Sequence, residues 1–355
     1  PFGLVTGMWQ GLGYWIAQQD VARGEQPWHY YLVTGWTYEF LPFLFALVGI
    51  VRYTRRGDLF TRSLIFWTIG AFVLFSAAAE KMPWLLVHLT LPMILLSGRT
   101  LGDLIVTIPW RRTIQSHALV GLALFPIFLV FAYRLLFFES DRSTTVDLLS
   151  LWGWLLLVFG LLTVIFYLVG KGGPREGIAL LGIGLATVFL VLGARAGWRA
   201  TYQNSDIPTE MLVYTQSSPD IARIDKDIKR IAQSTGQGKD LPIAVDIDDG
   251  FAWPWVWYLR DYTKVIYQDF GAEVLEPPKS SLVVVNARNY EVAGRVLGDA
   301  FLEGPRFTHR WWFPENTYKN LTPGEFLGAF ADRTAWRRAM DYFLYREGVR
   351  EQIGS

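Results

Sequence analysis

Six apolar runs, at about 35–51, 63–79, 84–106, 117–138, 148–169 and 177–194, constrain this chain more than any other feature. Each is about 17–25 residues long, enough as helix to cross a ~30 Å hydrocarbon layer. Composition agrees, since 52% of residues are hydrophobic and only 18% are charged. Soluble domains carry about 25% charged residues. The third run is the weakest, because Arg99 and Asp103 lie near its end. The expected fold class is a polytopic α-helical membrane protein of about six spans, with a C-terminal extracytoplasmic α/β domain.

Lysine and arginine in the loops set the expected orientation. The first loop holds Arg52, Arg55, Arg56 and Arg62, the third Arg99, Arg111 and Arg112, and the fifth Lys171 and Arg175. The alternate loops hold Lys81 alone, and Arg142 among Glu139, Asp141 and Asp147. The odd loops are therefore expected in the cytoplasm. Three regions follow: an extracytoplasmic aromatic-rich segment 1–33, a transmembrane domain 34–197 of six helices, and an extracytoplasmic domain 198–355. The expected localisation is the plasma membrane, multi-pass, with the C-terminal domain outside. The chain starts at Pro1 with no basic leader or small-residue cleavage site, and is read as a processing product or the start of a fragment.

Beyond about Arg199 the apolar runs shorten and Pro, Gly and charge return. "LPIAVDI", "TKVIYQDF" and "SSLVVVN" read as strands. "SSPDIARIDKDIKRIAQST" reads as an amphipathic helix capped by Ser218 or Asp220, with Ile at 221, 224, 228 and 231. "NYEVAGRVLGDAF" and "PGEFLGAFADRTAWRRAMDYFLYRE" read as helical. Strands alternating with helices predict a small α/β domain.

The chemistry that the residues exclude is broad. There are no cysteines, and the four histidines are scattered without metal-ligand spacing. A net charge of +1 gives no signal for nucleic acid. The Gly-rich "GKGGPREG" lacks the GK[ST] ending of a phosphate loop and a preceding strand. Asp246, Asp248 and Asp249 at a strand end leave a divalent cation open, although their spacing is not that of an EF-hand. No span has an ionisable residue near its centre, which argues against a transporter.

What remains is concentrated in three stretches. In "EKMPWLLVHLTLPMILLSG", Glu80 and Lys81 occupy a short external turn between two spans. An interfacial turn with hydrated charges is one account. An anion site at the depth of lipid phosphates, with Glu80 positioning Lys81 and His88 one to two turns into the next helix, is the other. In "YWIAQQDVARGEQPWHYY", membrane-belt anchoring explains the rings, and contact with a sugar or acceptor would explain Gln18, Asp20, Arg23, Trp28 and His29. In "DIDDGFAWPWVWYLRDY", Trp253 and Trp257 with Arg260 suit a sugar ring, the membrane surface or domain packing.

These stretches carry a resemblance. "EKMPWLLVHLTLPMILLSG" resembles a motif of GT-C class membrane glycosyltransferases that use polyprenyl-phosphate sugars, in the branch of protein O-mannosyltransferases and aminoarabinose transferases. The likeness is greatest to the flippase-associated family of archaeal N-glycosylation loci, found also in bacteria. The pattern "YW..Q..V.RG.QPW.YY" is matched by Tyr14, Trp15, Gln18, Val21, Arg23, Gly24, Gln26, Pro27, Trp28, Tyr30 and Tyr31. The pattern "WP..WYLRDY" is matched by Trp253, Pro254, Trp257, Tyr258, Leu259, Arg260, Asp261 and Tyr262. The resemblance implies an inverting transfer of sugar from a polyprenyl-phosphate donor on the external face, with no nucleic-acid partner. It implies an external carboxylate base in a first external loop upstream of this chain, so no residue here is assigned as catalytic. Lys81, Glu80 and His88 are carried over to the lipid phosphate. The competing expectation is a non-catalytic membrane subunit that docks other membrane proteins through its external domain.

Overall fold

The computed structural model describes residues 2–21, 24–138, 145–214, 216–272 and 276–349. The chain divides into two compact units. The first holds residues 1–205, 209–212 and 314–350; the second holds 206–208, 213–313 and 351–355. The C-terminal region beyond 198 is thus shared between the two units, where the sequence pattern drew one continuous domain. The segment 314–350 packs with the membrane-type helices.

The first unit is helical. In chain order it contains α1 (Phe2–Val21), α2 (Tyr30–Tyr38), α3 (Phe40–Tyr53), α4 (Leu59–Ala77), α5 (Leu86–Thr107), α6 (Trp110–Gln115), α7 (Ala118–Leu136), α8 (Thr145–Gly170) and α9 (Pro174–Trp198). Five stretches among the described residues are long and apolar enough to cross a membrane: Leu59–Ala77, Pro83–Thr107, Ala118–Leu136, Asp147–Gly170 and Pro174–Gln203. In α8 the side chains of Leu149, Trp152, Leu156, Phe159 and Phe166 are all exposed. That face is stable in hydrocarbon and costly in water. The protein is therefore a helical membrane protein.

The expected first span, 35–51, is not a straight helix. It is broken at Glu39, and α2 and α3 meet at 110°. Pro42 supplies the reason. Continuing α2 through it would need a hydrogen bond from an N–H that proline lacks, and would press its ring on the Tyr38 carbonyl. The chain instead restarts a helix at Phe40 with Pro42 in the first turn, where no N–H is required. α3 has only 14 residues, about 21 Å of helix. Among the described residues the candidate spans therefore number five, or six if the bent pair counts as one.

Among the described residues two apolar clusters hold this unit. Ala46, Tyr53, Leu64, Ile65, Met93 and Leu96 join α3, α4 and α5. Ile108, Ala118, Ile165, Val169, Ala179 and Leu180 join the end of α5 to α7, α8 and α9. Basic loops meet at one end: Arg52 and Arg99 both approach Asp103, at 3.9 and 3.6 Å, and Arg112 donates to the Lys171 carbonyl. The other end carries the 78–83 turn and the C-terminal ends of α7 and α9.

The second unit contains β1 (Gln216–Ser217), α10 (Pro219–Ser234), β2 (Ile243–Asp246), α11 (Ala252–Tyr258), β3 (Val265–Gln268), β4 (Leu282–Val284), α12 (Tyr290–Leu297) and β5 (Arg310–Trp311). β2, β3 and β4 lie where the sequence patterns read strands. They form a parallel sheet of order β3-β2-β4, with Ile243 opposite Val265 on one side and Leu282 on the other. β1 and β5 pair antiparallel. On one face Ile221, Ile224 and Ile228 of α10 and Trp255 of α11 pack on Ile243, Val245 and Val284. On the other, Ala293 of α12 packs with Ala244 and Phe270. Ser218 is the N-cap of α10, its hydroxyl accepting from Asp220 N–H at 3.0 Å. The chain then returns to the first unit for α13 (Pro323–Ala329) and α14 (Arg333–Tyr345). Asp332, which caps α14 through Thr334 N–H, divides a stretch that reads as one helix into two.

The α3–α5 contact depends on Gly49. A Cβ there would lie 2.6 Å from Thr100 Oγ1 and 3.0 Å from Leu96 Cγ. Gly49→Ala is expected to lower stability by about 1–3 kcal/mol through overpacking. The unfolding midpoint in detergent measures this, and an unchanged midpoint would show that α3 and α5 can separate freely.

Candidate functional site

The Glu80–Lys81 turn is held from several directions. Tyr31 of α2 donates to the Met82 carbonyl and accepts from Met82 N–H, both at 3.2 Å. Gln19 Oε1 accepts from Ala79 N–H at 2.7 Å. Gly24, at φ +78°, lies against the Lys81 carbonyl, where a Cβ would come within 3.1 Å; only glycine combines that backbone with that approach. Lys81 itself points inward. It is 6% exposed, and Nζ donates to the Ala78 carbonyl at 2.6 Å. Burial pushes its ammonium below the usual lysine range. Glu80 is half-buried.

His88 does not join them. Residues 83–85 wind as a 3₁₀ turn before α5 begins, so 81 and 88 do not share one continuous α-helical face. The His88 side chain is exposed and stacks on Phe75 at 5.4 Å between ring centroids.

The other residues expected to contact sugar or acceptor are dispersed. Arg23 lies outside the described residues, as do the side chains of Gln18 and Asp20. His29 is fully buried, with Nε2 3.0 Å from the Tyr318 carbonyl and its ring stacked on Phe326 at 4.6 Å. Trp28 meets Phe326 edge-on. Gln26 donates to Glu315 and accepts from the Tyr318 hydroxyl, while Lys319 bridges the Gly24 carbonyl and Glu315. The 24–31 segment and the 315–326 segment are therefore bound to each other.

In the second unit, Trp253 and Trp257 are exposed on α11, and the Arg260 guanidinium lies 4.1 Å over the Trp257 ring. Trp255 on the opposite face of the same short helix, and Phe251 and Leu259 flanking its two ends, are buried in the core. The three acids nearby are not a cation site. Asp246 is fully buried at the carboxyl end of the central strand. Its two oxygens accept from Asp248 N–H, Phe270 N–H, Asn286 N–H and Asn289 Nδ2. One carboxylate thus ties the loops after all three strands, and Asp249 pairs with Arg288 at 3.3 Å instead. Among the described residues no group of three or more acidic or histidine side chains is placed to hold a metal.

Two features have no counterpart in the sequence reading. The first is a buried pair, Glu210 and Arg346, 0% and 1% exposed, with Nε to Oε2 at 2.7 Å. The Tyr38 hydroxyl and Asn204 Nδ2 also donate to Glu210, at 2.8 and 2.9 Å. Arg346 lies over the rings of Tyr38 and Tyr342. The second is an open cavity of about 380 Å³ lined by Arg195, Trp198, Arg199, Gln203 and Tyr345. Its sequence signal was available as two arginines four residues apart at the close of the last apolar run. Glu210 and Arg346 are 136 residues apart, and no local pattern connects them.

Comparison with family models, with curated proteins and with solved structures finds no match for this chain.

Two outcomes follow from these geometries. Removing one partner of the buried pair, by Glu210→Gln or Arg346→Met, is expected to cost about 3–5 kcal/mol, and the double variant Glu210→Leu/Arg346→Met less than the sum of the singles. Unfolding in detergent reports both, and strict additivity would show that the two groups do not interact. His309 stacks on Phe251 at 4.1 Å, and burial with the Arg310 cation beside it lowers its imidazole to about 4. The unfolded chain then takes up a proton near pH 6.5 that the folded chain takes up only near 4. Its contribution is complete above pH 6.5 and is lost as the pH falls from there toward 4. The unfolding midpoint should fall from pH 7.5 to 5, and the fall should be smaller in His309→Phe.

Proposed function

We propose that this chain is a GT-C-like membrane glycosyltransferase, or its C-terminal part, that takes a sugar from a polyprenyl-phosphate donor at the external membrane face. The observation that carries the proposal is the joining of two sequence segments on which the family resemblance rests. The 14–31 stretch and the 80–85 turn are brought together by Tyr31 on Met82, Gln19 on Ala79 and Gly24 on Lys81. Both lie at the end of the helical unit remote from the basic loops. In this assignment that end faces outward in the plasma membrane, with the C-terminal α/β unit outside, and the Glu80–Lys81 turn receives the lipid phosphate. Lys81 must then release the Ala78 carbonyl as the phosphate arrives.

A second reading is supported by a different observation. Lys81, Gln26 and His29 are all spent on internal bonds, to Ala78, Glu315 and Tyr318. That suits a membrane subunit whose aromatic segment is structural and whose partners are other membrane proteins.

Binding of a polyprenyl-phosphate sugar to the chain in nanodiscs separates the two. The transferase reading expects saturable binding, weakened roughly tenfold or more in Lys81→Ala and largely restored in Lys81→Arg, as loss of a charge-assisted bond predicts. The unfolding midpoint serves as the folding control. Equal binding by Lys81→Ala would remove the turn from the site. No binding by the parent chain, with a membrane protein co-purifying in fixed ratio, would establish the second reading.

A further inference from the structure

The last spanning helix does not end as an ordinary α-helix. After Trp198 the backbone winds as a π-helix over Arg199–Gln203, closed by Asn204 N–H on the Arg199 carbonyl at 2.7 Å. π-turns are rare and concentrate at functional sites. Here the turn keeps the helix going past the apolar run and presents Arg195, Arg199 and Gln203, spaced four residues apart, along one wall of the 380 Å³ cavity. Trp198 and Tyr345 form the rest of its lining.

The charges in this cavity are arranged for an anion. Arg199 donates from its two terminal nitrogens to the carbonyls of Leu344 and Tyr345, both at 2.9 Å. Those bonds fix the guanidinium in place and screen the carbonyl end of α14, which would otherwise repel negative charge. Arg195 is exposed and has neither hydrogen bond nor ion pair among the described residues. A cation without a counter-ion at the end of a hydrophobic span is costly unless it reaches the polar interface. Trp198 and Tyr202, their ring centroids 4.5 Å apart and planes inclined at 41°, mark that interface, where such rings collect. Lipid phosphates lie at this depth, and a planar guanidinium matches a phosphate through paired N–H donors.

We propose that the Arg195–Arg199–Gln203 cavity binds a phosphate group, with Arg195 supplying the free charge, Arg199 the fixed donor and Gln203 a neutral hydrogen bond. The group belongs either to the head of a membrane lipid or to a soluble phosphate. This site is separate from the Glu80–Lys81 turn and does not rest on the transferase reading, because a lipid could be held here by a protein with no catalytic role.

Native mass spectrometry of the full chain in detergent tests it, with phosphatidic acid in one arm and inorganic phosphate in the other. The parent chain should retain one phosphate-bearing ligand. Arg195→Gln should bind roughly tenfold more weakly, and Arg195→Lys should recover part of the loss. Arg195 is exposed, so its unfolding midpoint should not move. Retention of phosphatidic acid that millimolar phosphate does not displace identifies a lipid ligand; retention of phosphate alone identifies a soluble one. Equal binding by the parent chain and Arg195→Gln, or no binding in either arm, overturns the proposal.

Discussion

The Glu210–Arg346 pair is the contact on which the helical unit depends at the end remote from its basic loops. Two full charges out of water cost several kcal/mol each unless their remaining donors and acceptors are met. Here most are met. Glu210 also receives Tyr38 and Asn204, and Arg346 donates to the carbonyls of Tyr342 and Phe343. The pair therefore binds four separate pieces of chain into one arrangement: the end of α2, the end of the last span, the 209–212 segment and the segment following α14. The phosphate cavity exists because α14 is held there, with Tyr345 beside Arg199. The break at Glu39 matters for the same reason, since a straight first span would carry Tyr38 away from Glu210.

The second unit reaches its own organisation by a different device. Its parallel sheet has the order β3-β2-β4, and in open parallel sheets the usual ligand place is a crevice outside the carboxyl ends of the strands. Ligands commonly enter such crevices, and acids at a strand end invite a metal assignment. Asp246 is instead consumed as the acceptor that closes the three loops over one another. The same residue type at the same position thus serves construction rather than coordination, and only its hydrogen bonds distinguish the two.

Much of the fold was legible in local pattern. Apolar length marked six runs, five of which are unbroken helices long enough to span, because a bilayer demands continuous hydrocarbon-compatible helix and tolerates few charges. The isoleucines of α10 at 221, 224 and 228 marked a buried face, and its Ser218 cap marked where it starts. The short strands were readable as β-branched runs between Pro and Gly. The break at Glu39 had a visible cause in Pro42, but an apolar run of sufficient length outweighed it. The candidate site was legible only as segments. The stretch from 14 to 31 and the turn at 80 were recognisable one by one, while the inward direction of Lys81 and the outward direction of His88 were not.

The sequence by itself determined that this chain lives in a membrane, which loops share an end, and which C-terminal runs become strands, because each of these follows from periodicity, length or charge over a few tens of residues. Tertiary structure alone decided that residues 314–350 return to the helical unit, that Gln26 and His29 are occupied by Glu315 and Tyr318, and that Glu210 finds Arg346. Those partners are separated by more than a hundred residues in the chain. Which donor meets which acceptor across such a distance depends on how the elements pack, and packing is a property of the assembled helices rather than of any one stretch.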